Sequence, residues 1–328
     1  MRSLILIALG FALLAARPAR AEDLRDFCAQ RPGKATPPCI VDAGRLQAEV
    51  GLADAVFQRS GGLREDTYAL AATELRLGLT RRVEVEASWS PAVIDTVRGG
   101  ARRTGVGDAG LAVLGALTDP DGKGVAVSAQ GFLTAPTASH GLGAGGWTGG
   151  ARLPIAVALS DSVSLGLTPE VDVLRDAAGG GAHAAWAGVA NLSRTVGPAT
   201  LGAELWGEVE DEPAGTIRRA SADLTAALAI GKSLQLDAGA NLGLNFGNLR
   251  CRSERTYVGF LQHRISDLLS LHPRNEPGGE FLIDLVRNYK PLRRNTGLAV
   301  VDAPRLHRSL DCHIKVCRGH HNKWIAPS

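Results

Sequence analysis

The sequence predicts an all-β chain: a membrane-spanning antiparallel up-and-down β-barrel of about 12 strands, followed by an irregular C-terminal tail. Three observations carry that prediction. Apolar and polar residues alternate with a period of two through a dozen segments. The connections between these segments alternate between tight turns and longer loops that are Gly-rich or charged. The polar parity is crowded with carboxylates, while the apolar parity carries few charges and few large aromatics.

The N-terminus reads as an export signal over residues 1–21. Arg2 supplies the positive start, Leu4 to Ala16 form a short apolar run, and Ala19-Arg20-Ala21 places small residues where a signal peptidase reads. A run of this length falls short of the roughly 20 residues that span a bilayer as a helix. Residues 22–44 follow as an N-terminal segment expected on the periplasmic side. Export to an oxidising compartment gives Cys28 and Cys39 a role there, as a disulfide flanking "AQRPGKATPP".

The barrel is expected over residues 45–265, with strands at 45–57, 67–79, 82–90, 105–117, 124–134, 147–159, 162–173, 183–194, 199–210, 218–230, 233–245 and 254–265. Most are longer than the five or six residues usual in a soluble sheet, and they suit a tilted bilayer crossing. The connections after the even-numbered strands are short, such as Thr80-Arg81, Ser160-Asp161 and Gly231-Lys232. Those after the odd-numbered strands are long, such as "QRSGGLRED", "PAVIDTVRGGARR" and "APTASHGLGAGG". Loops segregated by length to two ends belong to an outer-membrane barrel and have no reason to occur in a soluble sandwich.

Parity assigns the faces. Val83, Val85, Ala87 and Trp89 oppose Glu84, Glu86, Ser88 and Ser90, and the same division recurs at 163–173, 201–210 and 221–230. With too little bulk on the apolar side to fill a core, that side is expected to face lipid. Closure then pairs every backbone amide without water. The expected lumen-facing set is Glu74, Arg76, Glu84, Glu86, Glu170, Asp172, Glu204, Glu208, Asp223 and Asp237, joined by Glu210, Arg152 and Arg219. Trp89, Trp147 and Trp186 share the outward parity near the long-loop end, as interface aromatics do. A wall richer in carboxylates than in arginine favours cations. Twelve strands lie between the eight that side chains fill and the sixteen or more of open porins, which implies a narrow passage for small solutes.

The runs "TPPCIVDAGRLQAEVGLADAVFQ", "GVGDAGLAVLGAL", "GFLTAPT" and "GLGAGGWTGGARLPIAVALSDSVSLGL" resemble outer-membrane transporters of the phenol-degradation meta-pathway type over roughly residues 28–265. The resemblance implies a Gram-negative outer-membrane barrel that passes small, often aromatic or hydrophobic, compounds. The implied partners are outer-membrane lipid, a small-molecule permeant and the barrel assembly machinery. No catalytic residue and no cofactor come with it.

Other readings of the motifs are weaker. Gly105 to Gly110 matches a dinucleotide fingerprint, but a strand follows it where a helix is required. Gly231-Lys232-Ser233 is a hairpin turn without the upstream glycine of a phosphate loop. Glu84 and Glu86 share a face with many other carboxylates, so a hydrated wall explains them better than a glycosidase pair. No serine sits beside His140, His183 or His263 in a nucleophile pattern, so the chain is not expected to be an enzyme. No basic stripe with stacking aromatics suggests nucleic acid.

Residues 266–328 change character, with ten Lys/Arg against six Asp/Glu, five of the eight histidines and no alternation. They read as a disordered extension. Cys312, His313, Cys317, His320 and His321 are zinc-ligand types, but their spacing matches no familiar finger, and no metal is assigned. Two alternatives stay open at this level: a plugged structural or binding barrel without transport, and a soluble exported β-sandwich.

Overall fold

The computed structural model describes residues 25–60, 63–121, 124–177, 180–231, 234–244 and 262–263. The expected signal peptide, the tail beyond 265 with its cysteines and histidines, and most of the expected strand 254–265 lie outside these residues. Among the described residues, every regular element is a strand, and all belong to one sheet.

The segments are β1 (Leu46–Ser60), β2 (Leu63–Gly78), β3 (Val83–Trp89), β4 (Ala92–Val97), β5 (Arg102–Gly105), β6 (Ala109–Ala116), β7 (Val125–Ala135), β8 (Thr148–Arg152), β9 (Ile155–Ala158), β10 (Val163–Arg175), β11 (Ala182–Val196), β12 (Ala199–Glu210), β13 (Ile217–Ile230), β14 (Leu234–Leu244) and β15 (Gln262–His263). All the strand pairings are antiparallel, and each complete barrel strand pairs with the ones before and after it. The ring closes because β1 pairs with β2 on one side and with β15 on the other, while β15 also pairs with β14. Three barrel strands consist of two collinear segments each: β3 with β4, β5 with β6, and β8 with β9. The fifteen segments therefore make twelve barrel strands.

The interruptions have local causes. Pro91 and Pro154 lack the N–H a ladder needs, and each sits in a gap between collinear segments. The sheet resumes on the far side, so "PAVIDTVRGGARR", expected as a loop, is mostly β4 and β5, with residues 98–101 between them. In the same way "QRSGGLRED" is taken into β1 and β2 except at 61–62. The long loops at this end are thus shorter than expected, because charged strand residues run beyond the apolar band. A further irregularity lies between Gly51–Ala72 and Ala53–Leu70, where the pairing omits Leu52 and Ala71. Ala71 has a φ of 53° there. The step shifts the inward parity of β1 from Glu49 to Asp54, which strict alternation would place outside.

The interior is the reverse of a soluble core. Among the described residues, seven hydrophobic side chains are buried against seventeen polar or charged ones, including Glu49, Arg76, Glu84, Glu204 and Asp223. The exposed face carries the large apolar residues instead, such as Leu111, Leu201, Leu205 and Leu224, each more than half exposed. A surface of that kind needs lipid around it. Leu224→Arg on β13 is therefore expected to destabilise the folded barrel by about 2–4 kcal/mol if it lies near the bilayer midplane. Denaturant titration in lipid, read by heat-modifiable gel mobility, measures this; an unchanged midpoint would place Leu224 away from lipid.

Candidate functional site

The site is the barrel interior, and its main occupant is the chain's own N-terminal segment. Residues 25–44, expected on the periplasmic side, begin at the short-turn end. There Arg25 pairs with Asp42 and donates to Asp121 at 2.5 and 3.2 Å. From that point the chain turns into the barrel. The disulfide Cys28–Cys39 closes a loop whose backbone and side chains are bonded to strands around the whole wall.

Carboxylates receive the loop's amides. Glu49 of β1 accepts from the N–H groups of Gln30 and Arg31 at 3.1 and 3.2 Å. Glu204 of β12 accepts from those of Lys34 and Ala35 at 2.7 and 3.3 Å. Glu84 of β3 accepts from that of Val41 at 2.5 Å. A backbone segment leaving water must satisfy its donors, and a carboxylate can take two at once. Side chains complete the attachment. Lys34 Nζ reaches Ser221 and Asp223 of β13 at 2.5 and 2.9 Å and lies 4.8 Å from the Trp206 ring centroid. Arg31 reaches Asp54 at 2.5 Å, and Gln30 donates to Glu86 at 2.7 Å. The hydroxyl of Ser128 on β7 donates to Pro38 O at 2.5 Å, while Arg152 donates to the hydroxyl of Thr36 at 2.9 Å.

Arg76 of β2 joins the two ends of the loop. Its guanidinium donates to Cys28 O at 2.7 Å and to Cys39 O at 3.1 Å. The same group pairs with Glu84 at 2.7 Å and Glu49 at 3.3 Å, with Glu86 at 3.8 Å. All its charge is compensated inside the protein, since the side chain has no exposed surface. Two glycines allow the close fit. A Cβ at Gly78 would collide with the carbonyls of Val41 and Asp42, and one at Gly33 with the Glu204 carboxylate.

Space remains on both sides of the loop. A cavity of about 400 Å³ is lined by Arg31, Gly33, Asp54, Thr67, Ser90 and Asn241. A second, of about 240 Å³, is lined by Gly33, Ser164, Ser193, Thr200, Ala227 and Gln235, near the short turns. Arg31, Pro32 and Gly33 border both.

The model of the family described as "Putative MetA-pathway of phenol degradation" matches residues 29–249. The chain belongs to this family. The match takes in the internal loop together with all the strands up to β14. Among solved structures, the COG4313 outer membrane channel from Pseudomonas putida F1 is similar, at 15% identity with a TM-score of 0.55, over 71% of this chain and 98% of that one. The NanC porin aligns at 8% identity with a TM-score of 0.45, over 67% of this chain and all of that one. The β domain of the Bordetella autotransporter BrkA aligns at 17% identity with a TM-score of 0.42, over 68% and 100%. No curated protein matches the chain. The first of these likenesses establishes the fold as that of an outer-membrane β-barrel.

Among the residues singled out from the sequence, Arg76, Glu84 and Glu86 come together around Cys28 O and Cys39 O, and Glu204 and Asp223 hold Lys34. Glu74 lines a cavity of about 220 Å³ with Glu86 and Phe132. Glu170 pairs with Arg152 at 3.3 Å, and Glu208 with Arg219 at 2.8 Å. Asp172 and Asp237 are both buried. Trp89, Trp147 and Trp186 are 45%, 57% and 60% exposed. Alternation did not single out Glu49, Asp54, Asp95, Gln130 and Trp206. Glu49 and Trp206 do lie on the polar parity of their strands, whereas Asp54 is reached only through the irregular step at Leu52.

Two outcomes follow from these contacts. Arg76→Ala removes one partner of a buried charge cluster and is expected to cost about 3–5 kcal/mol; unfolding in detergent measures it, and a loss below about 1 kcal/mol would contradict the geometry. At the short-turn end, hydrogen bonds from Arg25 and then Arg81 hold the Asp121 carboxyl well below the usual carboxylate range. A depressed folded pKa stabilises the protein above the unfolded value, about 3.9, and that contribution disappears as pH falls through the folded pKa. The melting-temperature gap between wild type and Asp121→Asn should therefore be constant at neutral pH and narrow progressively as pH falls below about 4.

Proposed function

We propose that the chain is a passive outer-membrane channel for small solutes, with its disulfide-closed N-terminal loop as the internal constriction. The observation that carries this reading is the pair of cavities bordering the same tripeptide, Arg31 to Gly33, inside a closed wall with a polar interior and an apolar exterior. Such a wall is built to hold water within a bilayer. Its Gram-negative outer-membrane setting follows from the same inverted surface and from the fold.

The permeant class follows from the family's association with phenol degradation and from the chemistry of the interior. Ten buried carboxylates stand against one buried guanidinium among the described residues, which disfavours anions. Trp206 and Phe132 present aromatic faces inside, with Lys34 and Arg152 over them at 4.8 and 4.5 Å from the ring centroids. Small neutral aromatic or hydrophobic compounds suit that lining. No catalytic step is needed for such passage, and none is assigned.

The carboxylate wall does more than select. Glu49, Glu84 and Glu204 are occupied by loop amides, so they position the constriction rather than coordinate permeating ions. Glu74, which lines the cavity it shares with Glu86 and Phe132, takes no loop amide and is placed to act on a solute.

A second reading, a plugged binding barrel without transport, is favoured by the number of strands that grip the loop. Solute-loaded liposome swelling and planar-bilayer conductance separate the two. The paired substitutions Cys28→Ser and Cys39→Ser should loosen the loop and raise the conductance of a still heat-modifiable barrel above that of the wild type. A folded variant that passes no ion or small aromatic solute would leave the plugged barrel as the answer.

A further inference from the structure

At the opposite end of the barrel from the short turns, three metal-ligand side chains converge outside the loop's contacts. Asp176 follows β10, His183 lies at the start of β11, and Glu212 follows β12, so two connections of the long-loop end, β10–β11 and β12–β13, meet at one point. His183 Nδ1 is 3.0 Å from Asp176 Oδ1 and 3.2 Å from Glu212 Oε2. The imidazole is 6% exposed, and its Nε2 is buried without a hydrogen-bond partner, facing Glu210 Oε2 at 4.0 Å.

Proton placement alone does not balance this arrangement. A neutral imidazole carries one N–H. If Nδ1 holds it, one of the two carboxylates is served and Nε2 is left as a buried lone pair beside Glu210. If Nε2 holds it, the Nδ1 lone pair faces two carboxylate oxygens. An imidazolium serves Asp176 and Glu212 only through its one Nδ1–H, while its Nε2–H stays 4.0 Å from Glu210, which Arg219 already pairs. A divalent ion between Nδ1, Asp176 and Glu212 resolves all of these at once. Ligand atoms bonded to zinc at about 2.0–2.1 Å stand about 2.9–3.4 Å apart, which is the separation of Nδ1 from each of the two carboxylates, and all three ligand atoms lie within 4.8 Å of one another. The Nε2–H would then point to Glu210, the outer carboxylate that a metal-bound histidine characteristically has.

Two local features fit. The Ala177 N–H donates to the Glu212 carboxylate at 3.2 Å, which ties the residues after β10 to those after β12. Gly181 leaves room for Asp176, whose Oδ2 occupies the position a Cβ there would take.

We propose that Asp176, His183 and Glu212 form a binding site for a borderline divalent transition-metal ion such as Zn²⁺, which clips together the connections at the long-loop end. One imidazole and two carboxylates leave a fourth position for water, and the donor set favours Zn²⁺ over Ca²⁺ or Mg²⁺.

The test uses the full chain folded in detergent, with Zn²⁺ titrated calorimetrically and Co²⁺ titrated as a spectroscopic probe. The cysteines and histidines beyond residue 311 are ligand types themselves, so the comparison is between variants in the same full chain. His183→Gln and, separately, Glu212→Gln should each remove one Zn²⁺-binding event, or weaken it at least tenfold. Co²⁺ should give a d–d spectrum without thiolate charge transfer that vanishes in both variants. Zn²⁺, but not Ca²⁺, should also slow proteolysis at the 176–182 connection in wild type and not in the variants. Unchanged Zn²⁺ stoichiometry and affinity in either folded variant, or a wild type that binds no Zn²⁺ there, overturns the site.

Discussion

The buried guanidinium of Arg76 is the constraint on which the interior depends. It lies where β1, β2 and β3 bring Glu49, Glu84 and Glu86 together, and without a cation that cluster would be untenable away from water. It spends its remaining donors on Cys28 O and Cys39 O, the carbonyls at the two ends of the disulfide loop. One planar fork thus neutralises the wall and locates the loop. A lysine, with a single compact charge, could not reproduce both functions.

The loop in turn explains the acidity of the wall. A polar barrel interior supplies water-like surroundings, but a peptide segment lodged there needs fixed acceptors for its amides. Glu49, Glu84 and Glu204 provide them from three directions, and Lys34 supplies the opposite charge to Asp223. The disulfide shortens the chain that must be ordered; closing a loop of this size contributes roughly 2–4 kcal/mol by restricting the unfolded state. The loop sits with usable volume above and below it, which is the arrangement expected of a constriction.

Much of the architecture was legible in the residues. Alternation in segments such as 199–210 and 218–230 located strands to within a residue, and Glu84, Glu204 and Asp223, on the polar parity, are buried. The disulfide was readable from two cysteines placed just after the segment expected to be an export signal. The reach of the strands at the long-loop end was not readable, because Pro91 and the glycines at 99–100 look like loop while the ladder resumes around them. Nor was Asp54, since a single irregular step at Leu52 and Ala71 moves its parity.

By itself the sequence determined the inverted barrel: period-two alternation with apolar residues on one side and carboxylates on the other can satisfy its backbone in lipid only by closing. It also determined that the interior would be acidic. What only the tertiary structure decided is what those acids do. Glu49 and Glu84 belong to neighbouring parts of the wall, but Glu204 lies some 170 residues from the Lys34 amide it binds. Likewise Asp176, His183 and Glu212 meet only because two hairpins end side by side. Local patterning sets which way a side chain points; which partner it meets across the barrel depends on long-range pairing that no local pattern encodes.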